Sequence, residues 1–265
     1  LRQTLGENFD AKKVLFTPNF APIKEYEEAF KLGSLVTLDN LYPLKQFPQT
    51  FRHQKILCRI DPGVGGGHHK FVKTAGSQSK FGISLDDLDE LLNLVQKYEV
   101  QVVGLHAHGG SGIMDPCNWL NLAQFLDGLA SHFPRLEVLD LGGGFGIPER
   151  ATESPLDLGE LDKMLLHFKR SEPSRSLWIE PGRYLVGESG VLVSQVTQLK
   201  KKSNKRYIGL DTGMNSLIRY PLYGAYHHIE NLSKSQSSHQ EMDIFDVVGP
   251  ICESGDVFGH DRPLP

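Results

Sequence analysis

Short apolar runs alternate with longer stretches in which apolar residues recur every three or four positions. The runs are Val14-Leu-Phe-Thr17, Leu35-Val-Thr-Leu38, Lys55-Ile-Leu-Cys-Arg-Ile60, Val100-Gln-Val-Val-Gly-Leu105, Leu136-Glu-Val-Leu-Asp-Leu141 and Leu177-Trp-Ile179. Each is short and rich in branched residues, which predicts a strand. Between them the spacing predicts helices at Ile23 to Lys31, Leu85 to Tyr98, Trp119 to Phe133 and Leu158 to Arg170. Leu88, Leu91, Leu92 and Val95, for example, share one helix face. Strands that are apolar throughout, alternating with helices, predict a parallel sheet buried on both faces. Residues with useful chemistry follow directly after these strands, where a (β/α)8 barrel of the TIM type carries its active site. The pattern yields six strands, so two strand–helix units of such a barrel are missing, most simply from the N-terminal side.

Beyond Arg183 the texture changes. Val191 to Gln198, Arg206 to Asp211 and Ile244 to Val248 read as strands without long helices between them, the start of an all-β domain. The expected division is a barrel over residues 1–186, incomplete at its N-terminus, and a truncated β domain over 187–265. Ser233 to His239 reads as a Ser-rich loop, Lys200 to Lys202 as a solvated turn, and Asp261 to Pro265 as a loop cut short. The chain opens on Leu1, in an uncapped helix-like stretch to Phe9, so a fragment trimmed at both ends is expected.

Composition narrows the function. The 265 residues are 39% hydrophobic, enough for a large core, and carry a net charge of −4 with no dominant basic block, which does not suggest nucleic-acid binding. No apolar stretch approaches the roughly 20 residues that span a bilayer. Cys58, Cys117 and Cys252 cannot all pair and form no metal quartet, so a reducing cytoplasm fits best and no metal is expected.

Three strand-end motifs stand out: His106-Ala-His-Gly-Gly-Ser111, Leu141-Gly-Gly-Gly144 and Glu180-Pro-Gly-Arg183. His108 can stack on a flat heterocycle, or be a half-buried histidine satisfied by backbone. Gly142 to Gly144 can present amides to an anionic oxygen, aided by the Ser111 hydroxyl, or form only a tight turn. Glu180 can hold a pyridine nitrogen protonated, or pair with Arg183. Together the three supply a stacking imidazole, a phosphate cradle and an acid, the parts of a pyridoxal phosphate site. His106 and His108 also form a His-x-His pair, as in binuclear-metal amidohydrolases. That rival lacks a further histidine after a later strand, since His132 and His167 fall in helices. Arg219, Tyr220 and Tyr223 could fork onto a carboxylate, or be a surface arginine beside packed tyrosines. Cys252, before Glu253 and Asp256, is a possible proton donor or inert packing. Cys58 reads as core, and His68 and His69, after Gly65 to Gly67, receive no role.

With these stretches in place, the chain resembles the fold-type III pyridoxal phosphate decarboxylases, and within them the diaminopimelate decarboxylase family, particularly its form fused behind an aspartokinase. The matching stretches are Leu15 to Phe20, Ser79 to Gly82, Gly104 to Ser111, Asp140 to Gly144, Glu180 to Val186, Gly213 to Arg219 with Leu222 to Tyr226, and Gly249 to Asp256, in family order. The resemblance implies decarboxylation of meso-2,6-diaminopimelate to L-lysine in a two-fold dimer with shared sites. It implies that His108 stacks on the cofactor ring and that Glu180 meets its nitrogen. Ser111, Gly142, Gly143, Gly144, Gly182 and Arg183 would surround the phosphate. Arg183, Arg219 and Tyr223 would take the distal carboxylate of the substrate, and Glu253 its distal ammonium. Cys252 of the other subunit would protonate the α-carbon, and Lys80 and Asp256 would pair across the interface. The Lys-Ala-Asn motif that carries the family's cofactor-linking lysine does not occur in the 265 residues, and Tyr220 stands where the family usually has proline. The chain alone is therefore expected to be inactive. Competing expectations are a catalytically dead homologue and a polyamine-pathway decarboxylase of the same fold.

Overall fold

The computed structural model describes residues 10–63, 79–234 and 241–265. The helix-like opening, the glycine–histidine loop at 65–69 and most of the Ser-rich loop lie outside the described residues. Two compact units divide the chain: residues 1–147 with 156–185, and residues 148–155 with 186–265. The segment 148–155 groups with the second unit rather than the first.

The first unit holds a six-stranded parallel sheet in sequence order: β1 (Leu15–Phe16), β2 (Leu35–Leu38), β3 (Lys55–Arg59), β4 (Gln101–His106), β5 (Val138–Asp140) and β6 (Ser176–Trp178). All five pairings are parallel, as in a barrel that winds strand, helix, strand. Helices Ile23–Leu32, Leu88–Lys97, Cys117–Gly128 and Leu158–Ser171 connect the strands. Their ends are written locally. Gly33 takes φ +80° and closes the first helix with its amide on the carbonyls of Ala29 and Phe30. Asp157 Oδ1 caps the last by accepting the Glu160 amide at 2.8 Å. Leu91 is fully buried, and Leu88, Leu92 and Val95 pack on the same core. Val36, Leu38, Ile56, Cys58, Leu105 and Leu139 line that core from the strands, and Thr37 and Leu57 are buried on the other face, so both sheet faces are covered through the middle of the sheet. The edges β1 and β6 are less covered: Trp178 and Ile179 are exposed.

The second unit carries a mixed sheet in the order β10-β9-β8-β7, with β7 at Val196–Lys202, β8 at Lys205–Leu210, β9 at Asp243–Val248 and β10 at Val257–Leu264. β7 and β8 are antiparallel, β8 and β9 parallel, β9 and β10 antiparallel. Two readings of the sequence need correction. Lys200 to Lys202 end a strand, because the hairpin turns at Ser203, whose φ is +52°. Asp261 to Pro265 is not a loop: Arg262, Pro263 and Leu264 pair with Phe245, Ile244 and Asp243. The proline hid this strand, but β10 is an edge strand, where a missing N–H is tolerated. Ile208, Val247, Phe258 and Leu264 form the small core of this unit. Among the described residues no helix is long and apolar enough to cross a membrane.

Candidate active site

Sheet register places the chemistry of the first unit. His106, the last residue of β4, pairs with Asp140, the last of β5, and Asp140 pairs with Trp178 at the end of β6. Glu180 follows two residues later, its amide on the Gly142 carbonyl at 2.9 Å. Three neighbouring strands thus deliver an imidazole and two carboxylates side by side. β4 ends at His106, so His108 leaves the sheet and is half-buried, whereas His106 is fully buried.

The glycine turn is built against these residues. Gly142 and Gly144 have φ +64° and +87°, the left-handed region that a side chain disfavours. A Cβ on Gly143 would run into the Glu180 carbonyl, and one on Gly144 into the Gly110 carbonyl. The turn is therefore a cradle of bare backbone pressed between two other strand ends. The Gly142 amide donates to Asp140 Oδ1 and the Gly143 amide to His108 Nδ1, both at 3.0 Å. These two amides serve the turn itself. From behind, Trp119 is fully buried, donates its Nε1–H to the Gly143 carbonyl at 3.2 Å, and stacks on Phe145 with ring centroids 4.2 Å apart.

Because His108 Nδ1 accepts from Gly143, its proton sits on Nε2 and the ring is neutral. Burial, and then the positive charge of Arg59 and His106, push its pKa down to about 4. Burial also pushes Asp140 up to about 6, with the Glu180 charge adding to it against His106 and the Gly142 amide. At Glu180 burial works to raise the pKa, but His106, His108 and Arg59 together hold it below the usual carboxylate value. A neutral ring beside an ionised carboxylate is what a stacked, N-protonated pyridine requires.

Arg59 is the site residue that strand periodicity passes over. It lies in the apolar run of β3, is 9% exposed, and sits 3.4 Å from Asp39 Oδ1 with its guanidinium 4.6 Å from the Phe81 ring centre. Asp39 in turn accepts from Asn19 Nδ2 at 2.7 Å and the Gly82 amide at 3.1 Å. An arginine inside an apolar strand is itself a signal, since a charge is rarely buried without a partner. Asp140 offered the same kind of signal, a carboxylate closing an apolar run before glycines.

His106, Asp140 and Glu180 each offer a donor atom within 4.8 Å of the others, close enough that a cation could bridge them. The buried guanidinium of Arg59, which acts on Glu180 and His108, weighs against a cation there.

In the second unit the expected substrate residues lie on short elements. Arg219 and Tyr223 bound a one-turn helix, both half-buried. Arg219 Nη2 donates to Glu149 Oε1 at 3.0 Å, while Glu149 Oε2 accepts the Tyr226 amide at 2.9 Å. Glu149 was missed in the sequence because it lies in the segment 148–155. Cys252 and Glu253 are exposed in the loop after β9. Asp256 is 3% exposed, and its two oxygens accept the amides of Met214 at 2.6 Å and Ile251 at 2.8 Å. Each Asp256 oxygen keeps a further acceptor position beside its amide. Lys80 is exposed, 5.1 Å from the Phe81 ring centre. Ser111 is half-buried after β4, and Gly182 and Arg183 open a one-turn helix after Glu180, with the Gly182 amide on the Glu180 carbonyl at 2.8 Å.

A family model described as pyridoxal-dependent decarboxylase, pyridoxal binding domain, matches residues 1–187. The chain belongs to this family. It is 33% identical to the diaminopimelate decarboxylase of Methanothermobacter thermautotrophicus over 98% of this chain and 63% of that protein. With the diaminopimelate decarboxylase of Escherichia coli the identity is 32%, over 92% of this chain and 60% of that protein. The crystal structure of diaminopimelate decarboxylase from Helicobacter pylori, complexed with L-lysine, superposes with a TM-score of 0.87 at 28% identity, covering all of this chain and 67% of its own. The chain therefore spans about 60% of the length of the curated relatives it matches. The fold-type III architecture, a parallel barrel sheet followed by a β domain, is the one these neighbours share.

Proposed function

We propose that this chain is the larger part of a pyridoxal phosphate-dependent decarboxylase that converts meso-2,6-diaminopimelate to L-lysine and carbon dioxide. The observation that carries the reading is the neutral His108 ring, fixed by the Gly143 amide beside the ionised Glu180. The residues fit the cofactor. The glycine turn is a cradle that any Cβ would fill, and the unpaired buried nitrogens of His106 mark polar space beside Glu180.

When bound, pyridoxal phosphate supplies an electron sink for the pair left behind by the departing carboxylate. His108 would offer its neutral face to the ring, and Glu180 would hold the protonated ring nitrogen. Ser111, Gly182, Arg183 and the glycine turn would hold the phosphate, Gly142 and Gly143 chiefly by keeping the turn free of side chains. Arg183, Arg219 and Tyr223 bind the distal carboxylate and Glu253 the distal ammonium, so a simple diamino acid would leave these groups unpaired and be rejected. Arg219 must then share Glu149 with the substrate or release it. Cys252, from the second subunit of a homodimer, returns a proton from Sγ to the α-carbon as general acid. The three free thiols support action in the cytoplasm.

The test takes the protein that carries this chain. Its intact mass is measured with and without borohydride in the presence of pyridoxal phosphate, and carbon dioxide release is followed with meso-diaminopimelate, arginine and carboxynorspermidine. A reducible cofactor adduct with release from meso-diaminopimelate alone is expected. An adduct with release from one of the others reassigns the substrate. Neither adduct nor release identifies an inactive homologue.

A further inference from the structure

His106 is 1% exposed, and neither ring nitrogen has a hydrogen-bond partner among the described residues. Asp140 is equally buried and spends Oδ1 on the Gly142 amide, leaving Oδ2 without a hydrogen-bond partner among the described residues. Buried polar groups without partners are uncommon and call for a cause. Here they stand beside Glu180: His106 Nε2 lies 3.4 Å from Glu180 Oε2, and each of the three side chains presents one such atom within 4.8 Å of the others. Neither His106 nor Asp140 belongs to the set that contacts cofactor or substrate in the proposed reaction. The strand register fixes both, since each is the last residue of its strand and they are paired. Glu180, in contrast, stands after β6 and is 38% exposed, so nothing in the sheet itself fixes its carboxylate.

We infer that His106, with Asp140 behind it, is a positioning residue for Glu180. A small closure of the 3.4 Å gap makes a charge-assisted hydrogen bond from His106 Nε2–H to Glu180 Oε2, with the Asp140 carboxylate close by. That bond fixes one oxygen of Glu180 and would leave the other free for the cofactor ring nitrogen. The imidazole thereby sets both the direction and the ionisation of the acceptor without touching the cofactor. The lowered pKa of Glu180, to which His106 contributes, agrees with such a contact. The inference rests on the pyridoxal phosphate reading above.

Two probes separate the positioning role from general damage: pyridoxal phosphate and its 1-deaza analogue, which has carbon in place of the ring nitrogen. Binding of each to the cofactor-free protein is followed by fluorescence titration. His106→Phe is expected to bind pyridoxal phosphate about tenfold more weakly, the worth of one charged hydrogen bond, and the deaza analogue as well as the unsubstituted protein does. His106→Gln, which keeps a donor near the Nε2 position, should recover most of the loss. Equal weakening for both probes would show a merely structural histidine, and no weakening for either would show an idle one; each overturns the inference. If the unsubstituted protein binds neither probe, the cofactor reading itself fails and the inference falls with it.

Discussion

In the first unit, the residues with chemistry are held by a sheet; in the second, they are held by other side chains. His106 and Asp140 end buried parallel strands, and His108 and Glu180 stand two residues beyond strand ends, so their places follow from register. Arg219 and Tyr223 instead bound a one-turn helix, and Cys252 and Glu253 sit in a loop. What fixes this second set is a pair of buried or half-buried carboxylates: Glu149, which grips Arg219 and the Tyr226 amide, and Asp256, which ties Met214 to Ile251. A site framed by strands tolerates changes at its surface and fails when its packing fails. A site framed by loops depends on individual hydrogen bonds.

The largest effect should come from the packing side. Trp119 fills the space behind the glycine turn and is fully buried. Trp119→Ala removes that volume and the bond to the Gly143 carbonyl, at a cost of ~3–5 kcal/mol. Urea unfolding should show this loss, with pyridoxal phosphate binding weakened in parallel because the turn loses its support. A Trp119→Ala protein within about 1 kcal/mol of the original would mean that the turn is held from elsewhere.

The same contrast explains how much could be read from the sequence. Six strands and four helices were legible because their apolar periods differ, and the glycine run and the acidic strand end at Glu180 follow directly from them. Arg59 was passed over because it interrupts no period: one charge in β3 does not change the apolar pattern, and its partner Asp39 is 20 residues away. Asp256 was legible as an acid near a cysteine, but not as a buried knot, because its partners Met214 and Ile251 are the amides of distant loops. Side-chain knots between loops leave no period in the chain, which is why the second unit was read less completely, β10 included.

A smaller effect tests the loop side. Asp256→Ala strands two loop amides that the buried carboxylate now satisfies, costing ~1–3 kcal/mol. Because the knot is local, amide exchange should rise at Met214 and Ile251 while β4 and β5 keep their protection. If exchange rises equally in both units, the units do not respond separately and the comparison above fails.

The smallest effect is a pH dependence that the first unit hides by cancellation. The folded pKa of His108 is depressed to about 4 from 6.5, so between those values the unfolded chain binds a proton that the folded one refuses. Its contribution is fully present above pH 6.5 and is lost as pH falls. Asp140 runs the other way. Its folded pKa is raised to about 6 from 3.8, so the folded chain keeps a proton that the unfolded one releases, and that contribution is lost as pH rises through 6. Each group alone imposes at most about 1.4 kcal/mol per pH unit, and over pH 4 to 6 the two slopes oppose. In the cofactor-free protein these two contributions should therefore largely cancel in that range, leaving the shallow fall toward acid that the lowered His227, Glu180 and Asp246 supply. Asp140→Asn should uncover a fall toward acid, and His108→Gln a fall from pH 4 toward 6. Melting curves of the three proteins at half-unit pH steps decide it. Parallel slopes in the two variants would show that these groups titrate normally in the fold, and that the site does not hold its imidazole neutral by burial.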